Sequence, residues 1–291
     1  MQRMILALRI AAVAVFLGRA WQHLRWDIPI RSLLWDEKLM RPLVEGALGL
    51  SWREWVTSAD VDQWIAVAVK SGGWFYLAAA LAAWFVRPGR RSLNAVVALG
   101  GLGLMFLAFL YTKEKFYHLG QFWEYSLQFG APLLLLWFSA KPAPAPTRAQ
   151  WLALRMAIAL TFICHGLYAI GYYPRPGNFT EMVMVGFGVD EFTAVRILQA
   201  AGIADFVFSA LLFVPWRPAQ LAAVAYTLVW GALTTAARVW VYFWIAEPAV
   251  VFTQWLHESI YRLPHVLGPL AAWYALMRPA DAIPAGADTE A

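Results

Sequence analysis

Long apolar stretches, separated by short polar connections, make up most of the chain. Eight of them reach the roughly 20 predominantly apolar residues that a helix needs to cross the hydrocarbon core of a bilayer. They are residues 4–24, 62–86, 92–112, 117–139, 151–171, 194–216, 219–240 and 257–277. Helix-ending signals follow several stretches, among them Arg87-Pro88-Gly89 and Trp216-Arg217-Pro218. The pattern predicts an all-α, polytopic membrane protein with eight transmembrane helices.

The composition supports a membrane environment. The 291 residues are 61% hydrophobic and 14% charged, whereas a soluble domain is typically about 45–50% apolar and about 25% charged. The surplus apolar surface has to face a lipid bilayer. The single cysteine, Cys164, excludes an intramolecular disulfide and a thiolate-rich metal site. Lys and Arg are scattered singly, so the net charge of +5 does not indicate nucleic-acid binding.

The positions of the basic residues predict the orientation. The short connections carry Arg and Lys without acids, which marks their side of the membrane as cytoplasmic. These residues are Arg87, Arg90, Arg91, Lys141, Arg148 and Arg217. We therefore expect both termini in the cytoplasm, and a multi-pass protein of the cell membrane, specifically a bacterial inner membrane. The long loop 25–61 then lies outside, and its several Trp residues suit amphipathic segments in the headgroup zone.

The two halves of the sequence resemble each other. Residues 7–20 (ALRIAAVAVFLGRA) align with 153–166 (ALRMAIALTFICHG), which places Arg19 on His165. Residues 121–133 align with 258–270 in pattern. An even number of spans in each half predicts two parallel four-helix repeats. The predicted organisation is a first repeat at 1–140, a Pro-rich linker at 141–150, a second repeat at 151–280 and a flexible cytoplasmic tail at 281–291.

Three motifs of the second repeat point to a known family. His165-Gly166 lies near the end of an Arg-containing apolar helix, PRPGNF (174–179) follows, and the next helix contains Gly202-Ile203-Ala204-Asp205. These features resemble DoxX-like integral membrane proteins, whose acid at the last position is usually Glu. Some members are similar to the membrane subunit of thiosulfate:quinone oxidoreductase. The resemblance thus implies a membrane oxidoreductase or quinone-binding subunit, with a quinone as the suggested cofactor. The first repeat departs from the pattern, with Arg19 and Phe75 at the His and acid positions.

Polar side chains inside predicted spans are the candidate site residues, because ionisable groups in lipid are costly and usually functional. On the fourth and eighth spans they recur at helical spacing, so each set lies on one face. We predict two related polar pockets open to the outer side. The cofactor-binding set is Arg19, His23, Glu124 and Gln128. The catalytic set is His165, Asp205, Glu258, Arg262 and His265.

Other interpretations of these residues stay open. Buried Arg–Glu and His–Asp pairs also serve simply to hold helices together. A small-solute transporter or permease would suit the repeats, although no span shows the Gly/Pro-broken centre that alternating access favours. A non-enzymatic assembly or lipid-interacting protein, with a protein partner at the outer loops, is a third alternative. The HExxH spacing of zinc enzymes is absent, so no metal site is predicted.

Overall fold

The computed structural model describes residues 1–141 and 143–277, and the regular structure in these ranges is helical. The predicted tail at 281–291, the end of the second repeat and Pro142 of the linker lie outside them. In the first half the helices are α1 (Gln2–Arg25), α2 (Arg31–Leu34), α3 (Glu37–Leu43), a π-helical turn (Val44–Leu48), α4 (Trp52–Thr57), α5 (Ala59–Trp84), α6 (Arg91–Glu114), α7 (Leu119–Glu124) and α8 (Ser126–Ala140). In the second half they are α9 (Arg148–Ile170), α10 (Gly177–Phe187), α11 (Glu191–Leu211), α12 (Arg217–Val241), α13 (Pro248–Arg262) and α14 (Pro264–Leu276).

The described residues confirm the predicted all-helical class, and six of their helices are long and apolar enough to cross a membrane, which supports a multi-pass membrane protein. They are α1, α5, α6, α9, α11 and α12. Their surfaces suit lipid, since large apolar side chains such as Leu102 on α6 are exposed in mid-helix (54% for Leu102). In water such a belt would favour aggregation, whereas in a bilayer it contacts acyl chains.

The other two predicted spans are each divided into two helices. The fourth consists of α7 and α8, which are interrupted at Tyr125, and the eighth of α13 and α14, which are interrupted at Leu263. Pro264 begins α14 and has no N–H to continue the helical hydrogen-bond ladder. At the first break the freed Leu127 N–H donates to the Thr161 hydroxyl on α9, at 3.1 Å. Such replacement of lost backbone bonds is what a membrane interior requires.

Helices α1 and α9 form the centre of the bundle. The apolar 18-residue stretch of each is 61% buried, against 28–39% for the corresponding stretches of α5, α6, α11 and α12. Helix α1 packs on α5 in its own half and on α13 and α14 of the other half, while α9 packs on α11 and on α7 and α8. Each central helix thus contacts the interrupted pair of the opposite half. The central helices bring the site residues together.

A capping segment, residues 26–58, covers the end of the bundle where α5 begins. An internal hydrogen bond holds the segment together, and an ion pair anchors it to the bundle. Trp55 donates its indole N–H to the Leu34 carbonyl at 2.8 Å, and Asp36 pairs with Lys113 at the end of α6 at 2.5 Å. Hydrogen bonds from Lys113 and from the Leu39 amide lower the pKa of Asp36. The predicted long loop is therefore a set of short helices docked onto the bundle.

Candidate functional site between the two halves

Two glycines position the first part of the site. Helices α9 and α11 cross at Gly166 and Gly202, and a Cβ built on either residue would lie 2.9 Å from the carbonyl oxygen of the other. Only glycine permits this approach without displacing the backbone. The crossing places His165 and Asp205, on the adjoining turns, beside one pocket. The glycines of the two sequence motifs therefore have a packing role.

This second-half pocket has a volume of about 120 Å³ and is lined mainly by apolar side chains of α10, α11 and α12. Among them are Met182, Phe187, Leu198, Leu233 and Trp240. Its ionisable lining residues are His165, Asp205 and Arg262. Asp205 is buried and accepts a hydrogen bond from the Tyr226 hydroxyl at 2.9 Å. The pocket thus combines an apolar body with a carboxyl, an imidazole and a guanidinium.

A second, polar cavity of about 290 Å³ lies between the two halves. We call it the central cavity. Its lining comes from α1, α6 and α7 on one side and from α9, α12 and α13 on the other, and includes charged, amide and phenolic side chains. They include Gln22, Tyr111, Glu124, Tyr168, Arg238, Glu258 and Arg262. Glu114 and Lys115, at the end of α6, also line it, so the cavity lies toward the capped end of the bundle.

One contact at hydrogen-bond distance links the central cavity to the second-half pocket. Glu124 Oε1 lies 2.9 Å from His165 Nε2, and the two residues belong to opposite halves. Arg262 lines both cavities, and within the described ranges its guanidinium makes no hydrogen bond or close ion pair, although the charges of Glu124 and Glu258 attract it. Glu258 is paired with Arg238 at 3.1 Å. Both glutamates therefore have cationic or imidazole partners, and Arg262 remains available to a ligand.

Arg19 is fully buried at the junction of the halves. It donates to the side-chain carbonyls of Gln22 and Gln128, each at 2.6 Å, and its guanidinium carbon lies 3.7 Å from the ring centroid of Tyr261. Amide oxygens and the rings of three tyrosines are the direct partners of this cation in the described residues. Arg19 joins α1 to α8 and α13, so its geometry is that of a link between halves.

The structure groups the predicted site residues differently from the sequence analysis. Arg19 and Gln128 lie together as expected, but Glu124 joins His165 of the other set. His23 lines a separate pocket of the first half. The grouping could not follow from helical spacing alone, because spacing does not show which helix of the opposite half a given face meets.

The rest of the catalytic set divides between the two cavities. His165, Asp205 and Arg262 share the second-half pocket, whereas Glu258 lines the central cavity. His265 lies next to His165, with 5.8 Å between ring centroids, and its Nδ1 is 2.9 Å from the Arg262 carbonyl.

Two residues of the site, Arg238 and Tyr226, are not among the predicted site residues. Arg238 is a lone cation within the predicted seventh span, so the rule that singled out Arg262 also applies to it. Tyr226 is one of 11 tyrosines and carries no such signal. In residues 1–141 and 143–277 no three His, Cys, Asp or Glu side chains are arranged to hold a metal ion.

Comparisons with known proteins identify no relative of this chain. Protein-family models, curated proteins and solved structures contain no match to this chain. The DoxX-like resemblance therefore depends on the motifs of the second half.

Proposed function

We propose that the protein is a DoxX-like membrane protein with eight spans in two parallel repeats, both termini cytoplasmic. The interrupted helix pairs supply the two additional spans, since α7 and α8 together cover residues 119–140. Equivalent contacts support the repeat. Arg9 donates to the Val86 carbonyl at 2.8 Å, and Arg155, aligned with Arg9, donates to the Leu212 carbonyl at 3.1 Å. Each arginine thus satisfies a carbonyl just beyond the second long helix of its own half.

We further propose that the second-half pocket binds a quinone and that the chain is a membrane oxidoreductase or its quinone-binding subunit. The observation that carries this proposal is an apolar pocket lined by the Arg262 guanidinium, which makes no hydrogen bond within the described residues, by a buried carboxyl and by an imidazole. A quinone has the matching chemistry, an apolar ring and chain with two carbonyl oxygens that accept hydrogen bonds.

The residues have separate roles in this proposal. Arg262 donates to one carbonyl oxygen, and the Asp205 carboxyl holds the proton that a reduced ring oxygen takes up or releases. His165 and Glu124 connect that position to the polar central cavity. Reduction of a quinone to a quinol needs two electrons and two protons, and a redox partner outside the chain supplies the electrons.

Photolabelling tests the proposal. Purified protein in lipid nanodiscs is irradiated with an azido-quinone, and labelled peptides are mapped by mass spectrometry with native quinone as competitor. We expect competable labelling on α10 and α12, reduced at least about tenfold in Arg262→Gln because a charge-assisted hydrogen bond is lost. Arg155→Gln is the matched control and should label normally. Equal labelling of wild type and Arg262→Gln would contradict the proposal.

A transporter is the second candidate, and the interrupted spans favour it. No Gly/Pro-broken span centre is expected from the sequence, but the α7/α8 and α13/α14 pairs are interrupted at Tyr125 and Leu263, and Tyr125 lines the central cavity. Broken helices around a polar cavity between repeats are typical of transporters. Uptake of small solutes into proteoliposomes, abolished by Glu258→Gln, would favour this function over quinone binding. Quinone labelling without any uptake would count against it.

A further inference from the structure

A large cavity lies in the first half, away from the site described above. This first-half pocket has a volume of about 790 Å³ and lies between α5, α6 and the capping segment. Its walls are almost entirely apolar and include Leu34, Leu50, Val69, Phe106 and Leu107. Trp64, which also lines it, is 78% exposed. The pocket therefore runs from the lipid-facing surface into the bundle and has the volume of a site for one small molecule.

Two buried polar groups lie at the inner end. His23 and Tyr76 are each 4% exposed, and their rings meet edge to face with centroids 5.0 Å apart. His23 Nδ1 lies 2.7 Å from the Arg19 carbonyl, which only accepts hydrogen bonds, so Nδ1 carries the proton. His23 Nε2 is then an acceptor. Within the described ranges, neither it nor the Tyr76 hydroxyl has a hydrogen-bond partner.

The glycines around these groups keep them accessible. A Cβ built on Gly103 would lie 3.0 Å from the Tyr76 oxygen, and one on Gly72 would lie 3.2 Å from the His23 ring. Side chains at either position would crowd the inner end of the pocket. Small residues here leave the imidazole nitrogen and the phenol facing open space.

The charge of the lining narrows the class of occupant. Asp60, exposed where α5 begins, is the charged side chain that lines the pocket, and no Lys or Arg of the described residues does so. A fatty acid or phospholipid headgroup would bury its anionic charge without a partner, which is strongly unfavourable. An uncharged headgroup with one hydroxyl would satisfy both polar groups, because it donates to His23 Nε2 and accepts from the Tyr76 hydroxyl.

We propose that the first-half pocket binds one single-chain, uncharged lipid alcohol, with its hydroxyl at His23 and Tyr76 and its chain along α5 and α6. A long-chain or isoprenoid alcohol fits this description. The proposal goes beyond quinone binding, since it uses another pocket and none of the residues of the second-half pocket.

The test uses a hexadecanol probe that carries a diazirine and an alkyne, with hexadecanoic acid bearing the same groups for comparison. The full-length protein is labelled in phosphatidylcholine nanodiscs, and the labelled residues are mapped by mass spectrometry. We expect the alcohol to label pocket residues of α5 and α6 at least about tenfold more than the acid. Equal labelling by the two probes, or label only on outward residues such as Leu102, would overturn the proposal.

Variants locate the alcohol within the pocket. Tyr76→Phe keeps the ring and should reduce labelling about fivefold, as expected for one hydrogen bond. Ala68→Trp fills the pocket and should abolish labelling, while the matched lipid-facing variant Leu102→Trp should not change it. Gly103→Val narrows the inner end of the pocket and provides a second test if Ala68→Trp misfolds, as judged by thermal unfolding. Labelling that persists in both filled variants would refute the site. The Arg262→Gln variant, which changes the second-half pocket, should leave the labelling intact.

Discussion

The pair formed by Glu124 and His165 should couple the stability of the two halves. Glu124 Oε1 and His165 Nε2 are 2.9 Å apart, and the side chains of Glu124 and His165 are only 12% and 7% exposed. If both groups are charged, their attraction at an effective dielectric constant of about 20 is at most about 6 kcal/mol. Desolvation of the two groups offsets much of it. A neutral interhelical hydrogen bond contributes about 0.6 kcal/mol on average. We therefore expect a coupling energy of about 2 kcal/mol.

A double-mutant cycle measures this coupling. Glu124→Leu, His165→Leu and the double variant are unfolded by denaturant in detergent micelles, and their free energies of unfolding are compared with wild type. Each single variant leaves a buried polar partner, so the double variant should lose less stability than the sum of the two. The Arg31–Asp62 pair, 2.7 Å long with side chains 21% and 56% exposed, is the matched control. Its coupling should stay below about 1 kcal/mol. A coupling for Glu124 and His165 no larger than the control would refute the reasoning.

Three further predictions concern packing, pH and the membrane. Gly231→Leu should lower the free energy of unfolding by more than about 3 kcal/mol or prevent folding, because a Cβ there would lie 2.3 Å from the His265 carbonyl oxygen; thermal unfolding measures it. Lys113 lowers the pKa of Asp36 in the folded state below its ordinary 3.8. The attachment of the capping segment through this pair should therefore be intact above pH 3.8 and weaken as the pH falls through the lowered pKa. Pepsin should then cut the segment faster. The difference in cleavage rate between wild type and Asp36→Asn, measured at each pH, should vanish under acid. Leu102→Asp should reduce membrane insertion by about 3 kcal/mol in a glycosylation-based insertion assay, whereas normal insertion would contradict a lipid-facing position.

The spans could be predicted because bilayer thickness fixes the length of an apolar helix, and α1, α5, α6, α9, α11 and α12 have that length. The break at Tyr125 could not be predicted. It depends on the Thr161 hydroxyl, which is 34 residues from Leu127 in sequence and accepts the freed backbone N–H. Hydropathy averages over a window and does not detect such a long-range replacement.

The candidate site was predictable residue by residue but not as an arrangement. An ionisable residue within an apolar span can be recognised from the sequence alone, as His165, Asp205 and Arg262 can. Which of them share a cavity depends on how the helices cross, and that depends on contacts such as Gly166 against Gly202. The same limit explains His23. Its depth in the membrane, similar to that of Arg19, suggested one pocket, but the ring of His23 packs on Tyr76 and lines the first-half pocket, whereas Arg19 donates to Gln128.

The most direct measurement of the central claim is an electron cryo-microscopy structure of the protein in nanodiscs at saturating quinone. The account predicts density for a ring in the second-half pocket, with one oxygen within hydrogen-bond distance of the Arg262 guanidinium and the other beside Asp205. The same density should be absent from Arg262→Gln under identical conditions. A wild-type map at saturating quinone with no density between His165, Asp205 and Arg262 would contradict the account.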